Sequence, residues 1–411
     1  MQNRLNSIFS RFGWGRDSFD PSLASGWGSS LVITSYNRSP YCPKKEMHRN
    51  PLAWLFESVA AQHMLPSEVV IVNDASSDYT SHVIGAYSEQ FQDMGVRVRQ
   101  ITSIVHRGQT ESRHIAFSAA SNDTVILSDD DCYLSPHFIL GGLCTYAWLK
   151  RNYPNTAALQ MPVYFRDVFP TGIARVRDIG VLDFNAGRFV SNFDRFPAEY
   201  LMNGVPLVDG DIMRPMEITN LAGVFIGSRS LILRAGLPGY FTWKNGYSEE
   251  SELAARFTSM DLRMFFTPDP RFSAVHFKYG YFSPPVQLRD DPLLFDGIRL
   301  SGLNNESNLP REKTGDRVEA QEWWKSRIMS FYVLFLLRSE HSAELWVKRQ
   351  MDDFVRAGGK RGQPIVDSFS ERNKILSEAV KEGRILATRV KERESRGISE
   401  GCKPFQAAIA K

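Results

Sequence analysis

From Ser30 to about Phe165, short apolar runs alternate with longer amphipathic ones, the pattern of a parallel sheet with crossover helices. The candidate strands are LVITSY (31–36), EVVIVN (68–73), VRVRQI (96–101) and TVILS (124–128), each rich in β-branched residues. Helices are expected in the gaps between them. The stretch 166–217 mixes charge, Gly and Pro without a period and predicts loops and short strands over the carboxyl edge of the sheet. RMFFT (263–267) reads as a further strand and is followed by AVHFKYG (274–280). After a passage rich in Pro, Asp and Asn at 284–310, the chain from Glu319 to about Arg396 is dominated by good helix formers. The expected organisation is an N-terminal segment (1–29), an α/β domain (30–285) and a helical C-terminal extension (286–411).

The most apolar run, IMSFYVLFLL (328–337), is about half of the ~20 residues that cross a bilayer, so it predicts a buried helix. Hydrophobic residues at 43% and charged residues at 23% describe an ordinary globular chain. Lys and Arg total 49 against 46 Asp and Glu, and a net charge of +3 gives no field that would call for nucleic acid as a partner. Cys42, Cys132, Cys144 and Cys402 form no C-x-x-C pair, which excludes a zinc-type spacing and a dense disulfide framework and fits a reducing compartment. The N-terminal MQNRLNSIFSRFGWGRDSFD lacks an apolar export segment, so a cytoplasmic location is expected, with peripheral membrane contact left open.

In sheets of this kind, ligands collect beyond the carboxyl ends of the strands. Those ends carry Ser35-Tyr36-Asn37-Arg38, Asp74-Ala75-Ser76-Ser77-Asp78 and Asp129-Asp130-Asp131. Three adjacent carboxylates repel one another unless a cation joins them, and hard oxygen ligands suit Mg2+ or Mn2+. The alternative is a solvated acidic turn that caps the next helix. Asp74 is likewise either aimed at a ligand or part of an Asx turn. Further on, Glu250, Leu253, Ala254 and Phe257 fall on one helical face. With Ser248 as cap, Glu250 sits in the first turn, where a carboxylate is favoured and can accept a proton; alternatively Glu249 and Glu250 only complement the helix dipole.

SYNR (35–38), VVIVNDASSDYT (69–80) and ILSDDDC (126–132), in this order and spacing, resemble the family 2 glycosyltransferases of the GT-A fold. The resemblance implies an inverting, metal-dependent enzyme that moves a sugar from a nucleotide diphosphate donor, with a UDP-sugar favoured. The implied acceptor is a hydroxyl of a carbohydrate or glycoconjugate, as in polysaccharide synthesis. It places Ser35, Tyr36, Asn37, Asp74, Arg113, Asp129 and Asp130 at the donor, with Asp74 on the nucleobase and Arg113, in GQTESRHIAFSAAS (108–121), near the nucleotide. Asp131 becomes the direct ligand of Mn2+ or Mg2+, accompanied by Asp129.

Downstream, TNLAGVFIGSRSLILRAGLPGYF (219–241) resembles the acceptor-side segment of the family, and GYSEESELAAR (246–256) is similar to its E-D-x-x-L-x-x-R block. This implies Glu250 as general base and puts Gly223 and Glu249 on the acceptor side. His276 occupies the place of a histidine that completes the metal site in related enzymes, although a histidine between Val275 and Phe277 also suits a packed core. Four positions depart from the family pattern: Asn73 for its first acid, Ala75 for its glycine, His114 for the asparagine after the arginine, and Glu250 where aspartate is more frequent. Two other classes remain as rivals. A sugar nucleotidyltransferase would carry a Gly-rich phosphate loop where this chain has SYNRSPYCPKK. A non-catalytic carbohydrate-binding protein on the same fold would not need the acids that are retained.

Overall fold

The computed structural model describes residues 27–47, 50–166, 174–176, 180–183, 188–191, 215–219, 221, 223–236, 249–267, 272–277, 325, 328–329, 331–333, 335–336, 339–356 and 369–395. In chain order the strands are β1 (Ser29–Ser35), β2 (Glu68–Asn73), β3 (Arg97–Thr102), β4 (Thr124–Ser128), β5 (Cys132–Leu134), β6 (Thr156–Gln160), β7 (Val163–Arg166), β8 (Ala174–Val176), β9 (Gly180–Asp183), β10 (Arg188–Ser191), β11 (Met216–Ile218), β12 (Phe225–Ser228), β13 (Arg263–Phe266) and β14 (Ala274–Phe277). The helices used below are α1 (Pro51–Ala60), α2 (Thr80–Asp93), α3 (Gln109–Ala119), α4 (Phe138–Asn152), α5 (Arg229–Ala235), α6 (Glu249–Ser259), α7 (Glu340–Arg356) and α8 (Phe369–Ser395).

The main sheet has the order β11-β13-β6-β12-β4-β1-β2-β3. β3, β2, β1 and β4 are mutually parallel, β12 runs against both β4 and β6, β13 is parallel to β6, and β11 is antiparallel to β13. The result is a mixed, mainly parallel α/β sheet, as the sequence pattern predicts. All four predicted strands form. β1 starts two residues earlier than LVITSY and ends at Ser35, because Asn37 turns the chain with φ 49.

Period-two alternation sorts the side chains of these strands between the two faces. Leu31, Ile33, Val69, Ile71 and Ile126 pack with α1, α2 and α4, while Val32, Val70, Val72, Val125 and Leu127 pack with α3, α5 and α6. Burying each such side chain contributes about 1.5–3 kcal/mol, so a one-residue slip of register would expose a whole row. β3 lies at the edge, and its exposed Arg97, Arg99 and Gln100 deter pairing with another chain.

A second sheet has the order β5-β14-β7-β8. Asp129-Asp130-Asp131 is the crossing between the sheets, since β4 ends at Ser128 and β5 starts at Cys132. In the irregular stretch, β9 and β10 pair antiparallel and β8 pairs with β7, which are the short strands expected there. No disulfide joins Cys42, Cys132 or Cys144. Among the described residues no helix is long and apolar enough to cross a membrane.

Candidate functional site

The loops after β1 and β2 are tied into one surface. The Asp74 amide donates to the Ser35 carbonyl at 2.9 Å, and Ser35 itself is buried at the end of β1. Asn37 donates its backbone N–H to Ser76 Oγ at 3.0 Å and accepts from the Ser77 amide at 2.8 Å. Asp78 accepts from the Ser39 amide at 2.7 Å and from the Thr80 amide at 2.9 Å, which fixes the start of α2 to the first loop. Asn37 and Ala75 hold left-handed φ angles of 49 and 59. The alanine therefore occupies a backbone conformation in which the family's glycine is unstrained.

Asp74 is buried and has a defined task. Its oxygens accept the backbone N–H groups of Arg107 and Gly108, each at 2.8 Å, and His106 Nδ1 lies 3.0 Å from Oδ2. Gly108 reaches this carboxylate at φ 90, which a side chain would resist, and so opens α3. Tyr36, 44% exposed, stacks on His106 with ring centroids 3.9 Å apart. Nothing in the sequence pattern marks His106 as a partner of Tyr36 and Asp74.

Arg113, on α3 and 2% exposed, reaches two acids from different elements. Nη2 lies 2.6 Å from Asp129 Oδ1, and Nη1 lies 2.6 Å from Glu250 Oε1. The triplet after β4 and the first turn of α6 thus meet across one guanidinium. Glu250, Leu253, Ala254 and Phe257 are all buried, which matches the predicted helical face. Glu249 begins α6, and the Ser248 cap lies outside the described residues. Gly223 stands against Asp129 so closely that an added Cβ would fall on its carboxylate oxygens.

Arg38, a residue of the first motif not singled out from sequence, holds the other two acids. Its Nε is 3.0 Å from Asp130 Oδ1 and its Nη2 is 3.3 Å from Asp131 Oδ2. Burial pushes the Asp130 carboxyl up to about 6, against the pull of Arg38 and with the help of the Asp131 charge. For Asp131, burial acts in the same upward direction, but His276 and Arg38 outweigh it and hold this carboxyl far below the usual range. The buried Arg113 and the partly exposed Arg38 are thereby set against four carboxylates, Asp129, Asp130, Asp131 and Glu250.

A cation fits this set. Ligand atoms of Asp129, Asp131, Cys132 and His276 lie within 4.8 Å of one another. His276 Nε2 is 2.9 Å from Asp131 Oδ1 and 3.8 Å from Asp129 Oδ2. Asp131 Oδ1 is buried, and His276 is its close polar neighbour. At this distance the two groups pair with each other, and the same carboxylate oxygen and imidazole nitrogen are donor types that a divalent ion takes. The structure brings together the three ligands expected from sequence and adds Cys132, whose place directly after the triplet was its only signal.

Residues 30–177 match the family model described as glycosyl transferase family 2. This segment belongs to that family. An uncharacterized glycosyltransferase, YwdF, of Bacillus subtilis (strain 168) is 31% identical over 110 residues, 27% of this chain and 35% of that protein. The match therefore spans about a third of the relative's length. Among solved structures, S. aureus TarS residues 1–349 in complex with UDP-GlcNAc is similar at 13% identity, covering 88% of this chain and 81% of that one with a TM-score of 0.48. GalNAc-T7 with UDP, GalNAc and Mn2+ is similar at 13% identity, covering 87% of this chain and 56% of that one with a TM-score of 0.48. Within the family 2 segment lie all the donor-side residues expected from sequence, whereas Gly223, Glu249, Glu250 and His276 come from beyond it.

Proposed function

We propose that this chain transfers a sugar from a nucleotide diphosphate donor, a UDP-sugar first of all, to a hydroxyl of a carbohydrate or glycoconjugate acceptor, with inversion at the anomeric carbon. The observation that carries this reading is Arg113, which joins Asp129 of the family 2 segment to Glu250, a carboxylate from a separate element. An acid cluster that only capped a turn would have no reason to share the buried Arg113 with Glu250, which lies 137 residues further along the chain from that arginine.

Asp131 and Asp129, with His276, would hold Mn2+ or Mg2+, and such an ion supplies charge neutralisation for a leaving diphosphate worth several kcal/mol. The remaining roles belong to side chains. Arg113 and Arg38 present positive charge where the diphosphate would lie. Tyr36 offers an exposed ring for stacking with a uracil, and Asp74 fixes the 106–108 segment beside it. Glu250 takes the proton of the acceptor hydroxyl as that oxygen bonds to the anomeric carbon and the bond from this carbon to the phosphate oxygen breaks. A single displacement of this kind inverts the configuration.

The test is to incubate the full chain with a panel of UDP- and GDP-sugars, Mn2+ and candidate acceptors, and to follow nucleoside diphosphate and pyrophosphate. Release of UDP without pyrophosphate is expected. Pyrophosphate exchange would instead make the chain a nucleotidyltransferase, and silence across donors a binding protein. In Glu250→Gln, kcat should fall roughly 10²–10⁴-fold, the usual contribution of a positioned base. Asp131→Asn should lose more, and an unchanged rate in either variant would remove that residue from its role.

A further inference from the structure

We infer that Cys132 is a ligand of the cation site, and that its sulfur makes the site favour thiophilic divalent ions, Zn2+ and Cd2+, over Mg2+. The inference uses the cation site of the reading above and rests on that reading for its location in the molecule.

Three observations support it. First, β5 and β14 pair antiparallel with His276 directly opposite Cys132, so the two side chains leave the same face as cross-strand neighbours. Second, Cys132 is 0% exposed and its sulfur belongs to the same group of ligand atoms as Asp129, Asp131 and His276, all within 4.8 Å. Third, and independently of the cysteine, the buried Asp131 Oδ1 and His276 Nε2 lie 2.9 Å apart, so an oxygen and a nitrogen donor already converge at this point.

Sulfur, nitrogen and two carboxylates make a four-donor set. A tetrahedral ion with bonds of ~2.0–2.3 Å holds its donors ~3.3–3.8 Å apart, a separation that small side-chain adjustments can reach here. Mg2+ demands oxygen and near-octahedral geometry, so the sulfur brings it nothing, whereas thiolate ligation raises affinity for Zn2+ and Cd2+. On binding, the Cys132 thiol releases its proton to water and the sulfur lone pair forms the bond to the ion. The rival explanation is a small buried side chain that only fills the core, since Cys132 also packs within the hydrophobic cluster around α1 and α4.

The experiment titrates the reduced, chelator-stripped full chain with Cd2+ and records the sulfur-to-cadmium charge-transfer absorption, then repeats the titration with Zn2+ in competition. One equivalent of Cd2+ should produce the band in the parent. Cys132→Ser should lose it and bind Zn2+ at least roughly ten-fold more weakly. Asp131→Asn, which keeps the sulfur, should weaken Cd2+ binding while retaining the band at higher Cd2+, and it replaces Cys132→Ser as the test if that variant does not fold. A band that persists in Cys132→Ser, or equal Zn2+ affinity in parent and variant, would overturn the inference. Because the band is read without any sugar nucleotide, its presence in a chain that releases no nucleoside diphosphate would support the inference while the transferase reading fails. Release of nucleoside diphosphate with no band would overturn the inference alone.

Discussion

Asp129 is the residue on which most of the site converges, and its neighbour Gly223 shows how narrow its freedom is. β12 and β4 pair antiparallel with Phe225 opposite Leu127, and two more steps along this register set Gly223 opposite Asp129. A methyl group there would turn the carboxylate away from Arg113. Gly223→Ala should therefore lower nucleoside diphosphate release by about 100-fold, the order expected of an ångström-scale misplacement, while overpacking costs only about 1–3 kcal/mol of stability. Initial rates and thermal unfolding of the variant measure both, and a rate equal to that of the parent would remove Asp129 from the reaction. Motif resemblance put Gly223 with the acceptor; its closeness to Asp129 was not legible, because a motif gives position in the chain but not the residue across the sheet. The strained turn at Ala75 was legible as a departure from glycine, whereas His106 stacking on Tyr36 was not, since its position follows from the fold of the β3–α3 loop rather than from any local spacing.

At the scale of elements, Glu68 at the start of β2 connects several segments. It accepts from Ser30 Oγ at 2.5 Å, from the Ser121 amide at 2.8 Å and from Ser121 Oγ at 2.7 Å, and Arg97 Nε lies 3.3 Å away. One carboxylate thus ties the amino ends of β1, β2 and β3 to the turn before β4. Burial pushes this carboxyl upward, but the bonds from Ser121 and Ser30 and the charge of Arg97 prevail and bring it below its ordinary value. A folded pKa below the unfolded one stabilises the protein above the unfolded value of about 4.3, and that contribution is lost as pH falls through the folded value. Glu68→Gln should be less stable than the parent by about 1–3 kcal/mol at pH 7, and the gap should close below about pH 4.3. Urea midpoints of both proteins across this range give the answer, and a gap independent of pH would mean that Glu68 acts by shape and not by charge. Strands β1, β2 and β4 were legible because β-branched runs with opposite faces buried leave a repeating signature, and the edge strand β3 by its alternation of Val with Arg. β5 was not, since three residues between an acidic turn and Ser135-Pro136 carry no period, and only the second sheet makes them a strand.

The whole molecule contains a third core that shares no member with the two flanking the main sheet. It is built from Ile328, Met329, Tyr332, Val333, Phe335 and Leu336 of the apolar run, Ala343 and Trp346 of α7, and Ile375, Leu376, Ala379 and Ala387 of α8. The run is too short for a bilayer, and its burial among helices is the role its length predicts. Lys325 to Glu382 at 2.6 Å and Arg384 to Glu340 at 3.0 Å cross-link this region; the second pair is exposed on both sides and the first on its carboxylate side, and an exposed pair contributes about 0–1 kcal/mol. Stability here depends on Trp346, buried and stacked on Phe335 with centroids 6.1 Å apart. We propose that the segment from about 286 folds as a unit distinct from residues 30–285. Trp346→Ala should then cost about 3–5 kcal/mol within that unit alone. Hydrogen exchange is the measurement: amides of α7 and α8 should lose protection while those of β1, β2 and β4 keep theirs. Because α7 also approaches β10, the opposite result has a clear form. Uniform loss of protection across both regions, with one cooperative thermal transition, would mean that the helices and the sheet fold as a single unit.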